Sequence, residues 1–215
     1  MKPDGVAGFL LANGALNDSD TLDIRRKLIE NDKVEAIVVL PRELFITTDI
    51  SVTLWILNRN KKGGNYHGRN LRNREHEILF MDLRQWRENP VKGEQKKKVK
   101  LVTEQIEKAA EIYHTWQSEG TVSEEYAVPE LYRSVKVYDS QLTDEERKNN
   151  VPTIESKGYT LTPSKYIEFI DHDLEIDYEK EMARIQTKMQ EIMKQEKESQ
   201  QMLEDAFRGI GYGID

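Results

Sequence analysis

Val6-Ala7-Gly8-Phe9-Leu10-Leu11-Ala12 and, after a helical interval, Val34-Glu35-Ala36-Ile37-Val38-Val39-Leu40 decide the fold class of this chain. The first is a nearly continuous apolar run of strand length, the pattern of a strand buried on both faces. Asn13-Gly14 breaks it. Ser19 or Asp20 offers an N-cap, and Leu22, Leu28 and Ile29 place an apolar face on a helix that runs to about Asn31. Pro41 stops the second strand. Ser51 to Asn58, rich in β-branched and aromatic residues, is a third strand, ended by Lys61-Lys62-Gly63-Gly64-Asn65, and Glu77 to Leu83 holds a short fourth. Strand, helix and strand at this spacing form an α/β unit. A first strand this apolar needs neighbours on both sides, yet it follows directly on the turn Lys2-Pro3-Asp4-Gly5. Either the sheet is unusually small or its other half belongs to a different chain; we expect the second.

Beyond Lys100 the texture changes. Val102, Ile106, Ala109, Tyr113 and Trp116 follow a 4-3-4-3 spacing, one face of an amphipathic helix. Residues 118–160 read as mostly irregular, with a capping box where Thr143 meets Glu146. Gly158 to Tyr166 is a compact aromatic and turn segment. A long helix is predicted from about Asp177 to Arg208, stopped by Gly209. Along it Met182, Ile185, Met189, Ile192, Glu196, Ser199, Leu203 and Ala206 keep the 3-4 spacing of a coiled-coil seam, polar in its middle. At a rise of roughly 1.5 Å per residue it reaches about 45 Å. So long a helix with so narrow a stripe either seats a partner helix or folds back on its own domain. The expected divisions are 1–100, 101–170 and 171–215.

The 215 residues carry 33% charged and 37% apolar side chains and a formal charge of −7. That profile suits a modest core with long solvated appendages. No apolar run has the length of a membrane span and the start is no signal peptide, so a cytoplasmic location is expected. With no cysteine, disulfides, thiolate nucleophiles and cysteine-bound zinc are excluded. The average charge hides a split: residues 1–100 sum to +5 and 101–215 to −12, and 59–100 alone hold +8. A local basic stretch sets the local field, so the overall acidity does not exclude nucleic acid; a solvated loop is the other reading.

No phosphate loop or dinucleotide fingerprint is present, and Gly209-Ile210-Gly211-Tyr212-Gly213 follows a helix instead of linking strand to helix. His67, His76, His114 and His172 lack ligand spacing, and no metal is expected. Asn89-Pro90-Val91-Lys92 lacks the second proline and the aromatic of an amino-group methyltransferase tetrad. No complete active site is written in this chain. One constellation stands out: Leu40 to Ile50 joins two strands at the sheet edge where α/β folds place ligands, and Phe45 within it is either a stacking surface or a core plug.

Several segments, in order, resemble one family. Lys2 to Leu16, Ile24 to Glu30, Val34 to Phe45, Thr48-Asp49-Ile50 through Arg59, Ile78 to Asp82, Ile106 to Trp116 and Gly158 to Ile167 are similar to the modification subunit of type I restriction–modification systems. The resemblance runs nearly end to end. It implies an adenine-specific DNA methyltransferase, which moves a methyl group from S-adenosylmethionine to the exocyclic amine of a flipped adenine. It also implies the C-terminal half of a seven-stranded Rossmann-like sheet. Three core strands, Val6–Ala12, Val34–Leu40 and Ser51–Asn58, come with an extra strand, a mostly helical tail and a coiled-coil-like helix, the last two core strands forming an antiparallel edge. The family's helical N-terminal domain, Gly-rich cofactor motif and Asn-Pro-Pro-Phe tetrad would lie upstream of Met1, through truncation, a split gene or an internal start. The chain alone is therefore expected to be inactive and to bind no cofactor. By the resemblance Phe45 packs on the flipped base, with Thr47 and Thr48 beside it. Met182, Ile185, Met189, Ile192 and Leu203 form the seam for helices of the DNA-specificity subunit. Arg69, Arg72 and Arg74 are candidates for contacts to double-stranded DNA phosphate. The implied partners are the specificity subunit, the missing N-terminal methyltransferase portion, DNA and, indirectly, the restriction subunit. The alternative is a non-catalytic module that binds the specificity subunit through the long helix.

Overall fold

In the computed structural model, which describes residues 2, 4–45, 49–86, 99–120, 130–167 and 178–209, β1 (Val6–Ala12) forms where the apolar run predicts it but is not buried. Every residue of it except the half-buried Ala7 is exposed. The reason is topological. The main sheet has the order β1-β3-β2-β6-β7, formed with β2 (Val34–Val39), β3 (Val52–Asn58), β6 (Glu77–Asp82) and β7 (Tyr132–Lys136). β1 is its edge, with β3 as its one hydrogen-bonded neighbour among the described residues. β3 runs antiparallel to both β1 and β2, so β1 and β2 are parallel, while β2 pairs with β6 in parallel and β6 with β7 antiparallel.

The sheet is mixed and five-stranded, larger than the three strands and one extra that the sequence suggested. The antiparallel pair β2–β3 forms as expected but lies inside the sheet, because β6 and β7 continue it past β2. β7 falls in a segment read as irregular. A second omission is the hairpin of β4 (Gly64–Tyr66) and β5 (Arg69–Leu71). Its two-residue turn, His67-Gly68, has positive φ at both positions (49° and 81°), the geometry that matches strand twist and that glycine makes inexpensive.

Each face of the sheet has its own core. On one, α1 (Leu22–Glu30) contributes Ile29 against Trp55, Ile37, Ile78 and Phe80, and the aromatic segment closes the layer with Tyr159, Leu161, Tyr166 and Ile167. Tyr166 stacks on Phe80 at 4.6 Å between centroids, and its hydroxyl donates to Thr160 O (2.7 Å). Arg25, buried in the same layer, donates from Nε to Tyr159 O (2.8 Å) and from Nη1 to Ala15 O, Asp18 O and Thr21 Oγ1. On the other face, α2 (Thr103–Glu119) sets Ile112 and Trp116 against Ala36, Val38, Leu79 and Met81. Of the predicted stripe, Trp116 is fully buried and Ala109 and Tyr113 pack against the same core, but the stripe misses Ile112 and wrongly includes Ile106. Ile112 is fully buried, whereas Ile106 is 55% exposed. Gly120 ends α2 in the left-handed region (φ 86°), the usual helix-stop conformation. Thr143 and Glu146 form the predicted capping box at the start of α3 (Asp144–Lys148).

The chain divides into two compact units, Met1–Ile170 and Asp171–Asp215. In the second, α4 (Tyr178–Gly209) runs for 32 residues. The predicted seam residues Met182, Ile185, Met189, Ile192 and Leu203 are each 47–62% exposed, and Met193 and Met202 beside them are exposed as well.

Candidate functional site

The carboxyl ends of the parallel strands β1, β2 and β6 lie at one end of the sheet. There Leu40 N donates to Val52 O (3.0 Å) and Leu83 N to Val39 O (2.9 Å). Thr53 Oγ1 donates to Asn13 Oδ1 (2.7 Å), tying the exit of β1 to β3. Arg84 Nε reaches both carboxylate oxygens of Asp82 (2.9 and 3.0 Å), and these bonds push the guanidinium pKa up. Phe45 occurs in the loop leaving β2, half-buried and in a single β-bridge, and Glu43 in the same loop has φ 63° and accepts from Val99 N (3.2 Å). Thr47 and Thr48 lie outside the described residues.

The opposite end of the sheet holds a buried polar network. Between Val34 and Ala36 the β2–β3 register shifts by a residue, and such a bulge lets neighbouring side chains share a face. Glu35, with no solvent exposure, therefore meets α2. Its Oε1 accepts from Arg74 Nε (2.9 Å) and Gln117 Nε2 (3.3 Å), and its Oε2 from Asn58 Nδ2 (2.8 Å) and Tyr113 Oη (2.6 Å). Arg74, also fully buried, donates further to Arg72 O, Asn60 O and Gln117 O. Burial, aided by the Glu35 charge, raises the Tyr113 pKa far above the ordinary phenol range. Beside the network Lys61 Nζ donates to Asp32 Oδ1 (2.6 Å), Val34 O (2.9 Å) and Glu77 O (2.7 Å). Burial lowers the Lys61 pKa, and Asp32 opposes the shift.

The three arginine candidates thus differ. Arg74 does not fit a phosphate contact, because its guanidinium is shut inside the protein with its donors bonded. Arg72 is partly exposed. It pairs with Glu77 (2.8 Å), donates to Trp116 O (2.9 Å) and lies over the Trp116 ring (5.0 Å). Arg69 is exposed and donates to His114 Nδ1 (2.8 Å) and His114 O (3.3 Å). It lines a cavity of about 210 Å³ with Asp4, Asn58, Asn60, Tyr66 and Tyr113. A six-residue strand at about 3.3 Å per residue puts roughly 20 Å between this end of the sheet and the Phe45 end. Sequence reasoning missed the Glu35 network. The signal was a glutamate within an otherwise apolar strand, which asks for a buried partner. Among the described residues no cluster of acidic or histidine side chains could hold a metal, and no helix is long and apolar enough to cross a membrane.

An α/β sheet whose penultimate position is a strand antiparallel to both neighbours, read with the segments quoted above, agrees with the comparison to known proteins. The profile of the N-6 DNA Methylase family matches residues 1–175. The chain belongs to this N-6 DNA methylase family. Its relatives include the HindI type I restriction enzyme methylase subunit of Haemophilus influenzae, 28% identical over 99% of this chain and 41% of that protein. Another is the MjaIX methylase subunit of Methanocaldococcus jannaschii, 26% identical over 98% of this chain and 33% of that protein. The chain therefore spans less than half of the length of either methylase. Among solved structures, the type I methyltransferase subunit of Streptococcus thermophilus superposes with a TM-score of 0.54 at 19% identity, over 78% of this chain and 28% of that one. A chain of a structure describing assembly and conformational transition of the type I system gives 0.51 at 20% identity, over 95% and 37%. At these identities the likeness is one of fold.

Proposed function

We propose that this N-6 methylase chain supplies the last strands, the helical tail and the assembly helix of a type I modification subunit. In the complete enzyme a methyl group passes from S-adenosylmethionine to the exocyclic amine of adenine. One observation carries the reading: β3 runs antiparallel between the parallel β1 and β2 at the end of a sheet in a chain of this family. The antiparallel pairing of β2 with β3 is the part of this arrangement that the resemblance implies for the back of the methyltransferase sheet.

The described residues do not form a cofactor cradle. The glycine nearest the carboxyl end of β1, Gly14, sits in a single 3-10 turn. Gly63, Gly64 and Gly68 belong to the hairpin region, Gly120 caps α2 and Gly158 turns the aromatic segment. No step of the transfer is therefore assigned to this chain's contact with the cofactor. Its contribution is Phe45 as a stacking surface for an extruded base, with Thr47 and Thr48 beside it. Arg69 remains a phosphate contact on double-stranded DNA. Partners are the remaining methyltransferase portion, the DNA-specificity subunit at α4 and, through the assembly, the restriction subunit.

The exposed apolar stripe of α4 favours a second reading, a module that binds the specificity subunit and takes no part in chemistry. One experiment separates the two. The chain is co-produced with the remaining methylase portion and specificity subunit of the same system, and N6-methyladenine in the DNA is measured by mass spectrometry. Methylation that depends on this chain supports the first reading. Stable assembly with methylation unchanged when residues 1–170 are omitted refutes it in favour of the second. Calorimetric titration of the chain alone with S-adenosylmethionine should show no stoichiometric site.

A further inference from the structure

On the sheet face that carries α2, the cover supplied by the described residues is incomplete. A helix is about 10 Å wide and strands are about 4.8 Å apart, so one helix shields roughly two strands. α2 lies over β2 and β6; among the described residues β3 is only half-covered on that face, through Leu54 and Ile56, and β1 is exposed. Between α2 and β3 runs an apolar groove of about 250 Å³, walled by Val38, Leu54 and Ile56 from the sheet and Ile106, Ala109 and Ala110 from α2. The register continues it onto β1, where Leu10 lies opposite Leu54 and Gly8 opposite Ile56. Leu10 is 45% exposed and Ile106 55%, so apolar side chains on both walls of the groove meet solvent.

Two features define what fits. Ala109, Ala110 and Gly8 are small, so a backbone can approach closely, as small residues permit at helix contacts. The outer face of α2 carries the exposed Glu104, Glu107 and Glu111, while Lys108 turns over the Trp86 ring on the other flank (5.8 Å). A cover for this groove is a second helix beside α2, with small and apolar residues inward and basic residues along the edge that meets Glu107 and Glu111. The matched methylases are more than twice as long as the part this chain spans, and the groove is continuous with the open β1 edge.

We propose that this groove seats an amphipathic, basic-flanked helix from the methylase portion that the longer relatives have and this chain does not span. This rests on the methylase reading above and assigns that portion a second contact, apart from strand pairing at β1. The absence of cysteine makes the test clean. Ile106→Cys carries the sole thiol, and its alkylation by a maleimide should slow at least tenfold when the remaining methylase portion is bound. Lys157→Cys, on an exposed turn of the other layer, should react at an unchanged rate. A benzophenone amino acid at position 110 should crosslink to a peptide of the methylase portion that reads as an amphipathic helix with Lys or Arg on one flank. A crosslink to a second copy or to the specificity subunit overturns the groove assignment and leaves the methylase reading intact. So does an unprotected thiol in an assembled complex that methylates DNA. A mixture that neither assembles nor methylates overturns both.

Discussion

Glu35 and Arg74 face each other at 2.9 Å with no solvent exposure, and each is the other's buried partner. Removing one partner of a buried pair strands the other charge, at a cost of roughly 3–5 kcal/mol. Glu35→Ala should therefore lower the stability of residues 1–170 by about that amount, read as a shift in the denaturation midpoint. Arg74→Met should do the same, and the double variant should lose less than the sum of the two. A fully additive double variant would contradict the network. Arg74 also shows where the sequence was legible and where it was not. Its charge was visible; its burial was not, because burial depends on a bulge at Glu35 and on Gln117 and Tyr113, some 40 residues away in the chain. Phe45 is the opposite case, since its place in the loop after β2 follows from the strand order alone. If it stacks on an extruded base, Phe45→Ala should lower methylation by the assembled enzyme about 5- to 150-fold, as loss of about 1–3 kcal/mol of stacking implies. Phe45→Trp should retain most of the rate.

Elements were legible where a periodicity acts over many residues. α4 was, because its 3-4 spacing runs for 25 positions, and so were β2 and β3, whose β-branched runs are bounded by turn residues. β7 was not. Tyr132-Arg133-Ser134-Val135-Lys136 has one fully apolar aliphatic residue in five, and its place in the sheet comes from pairing with β6 in the register Glu77↔Lys136 to Met81↔Tyr132. The burial of Ile112 was hidden for a related reason: it lies one position off the 4-3-4-3 stripe that holds Ile106, and only the packing of α2 on the sheet buries the one and exposes the other. At α4 the exposed stripe makes a prediction of its own. Met189→Glu with Ile192→Glu should abolish co-purification with the specificity subunit. It should leave the helix content of the chain unchanged in circular dichroism, because both residues are solvent-facing in this chain. Unchanged co-purification would refute the seam.

At the scale of the whole molecule, β1 is the element whose sequence and surroundings disagree. Soluble sheets protect their edges with lysines, prolines, bulges or short strands. β1 has seven residues, no charge and no proline, and it pairs with β3 without a register shift. Val6, Phe9, Leu10 and Leu11 are 36–50% exposed. The apolar run that implied a strand buried on both faces describes a strand that this chain does not bury, and the discrepancy is explained if the sheet continues through β1 in the complete methylase. Two outcomes follow. Alone, the chain should self-associate as concentration rises, and Leu10→Lys should suppress this by placing a charge on the edge. In hydrogen exchange, the amides of β1 that point away from β3 should exchange rapidly in the isolated chain. On assembly with the remaining methylase portion they should slow at least a hundredfold, because each gains a strand partner instead of water. Slowing confined to α2 and β3, with β1 still exchanging rapidly in a methylating complex, would mean that the sheet ends at β1 and that the two portions meet by packing alone.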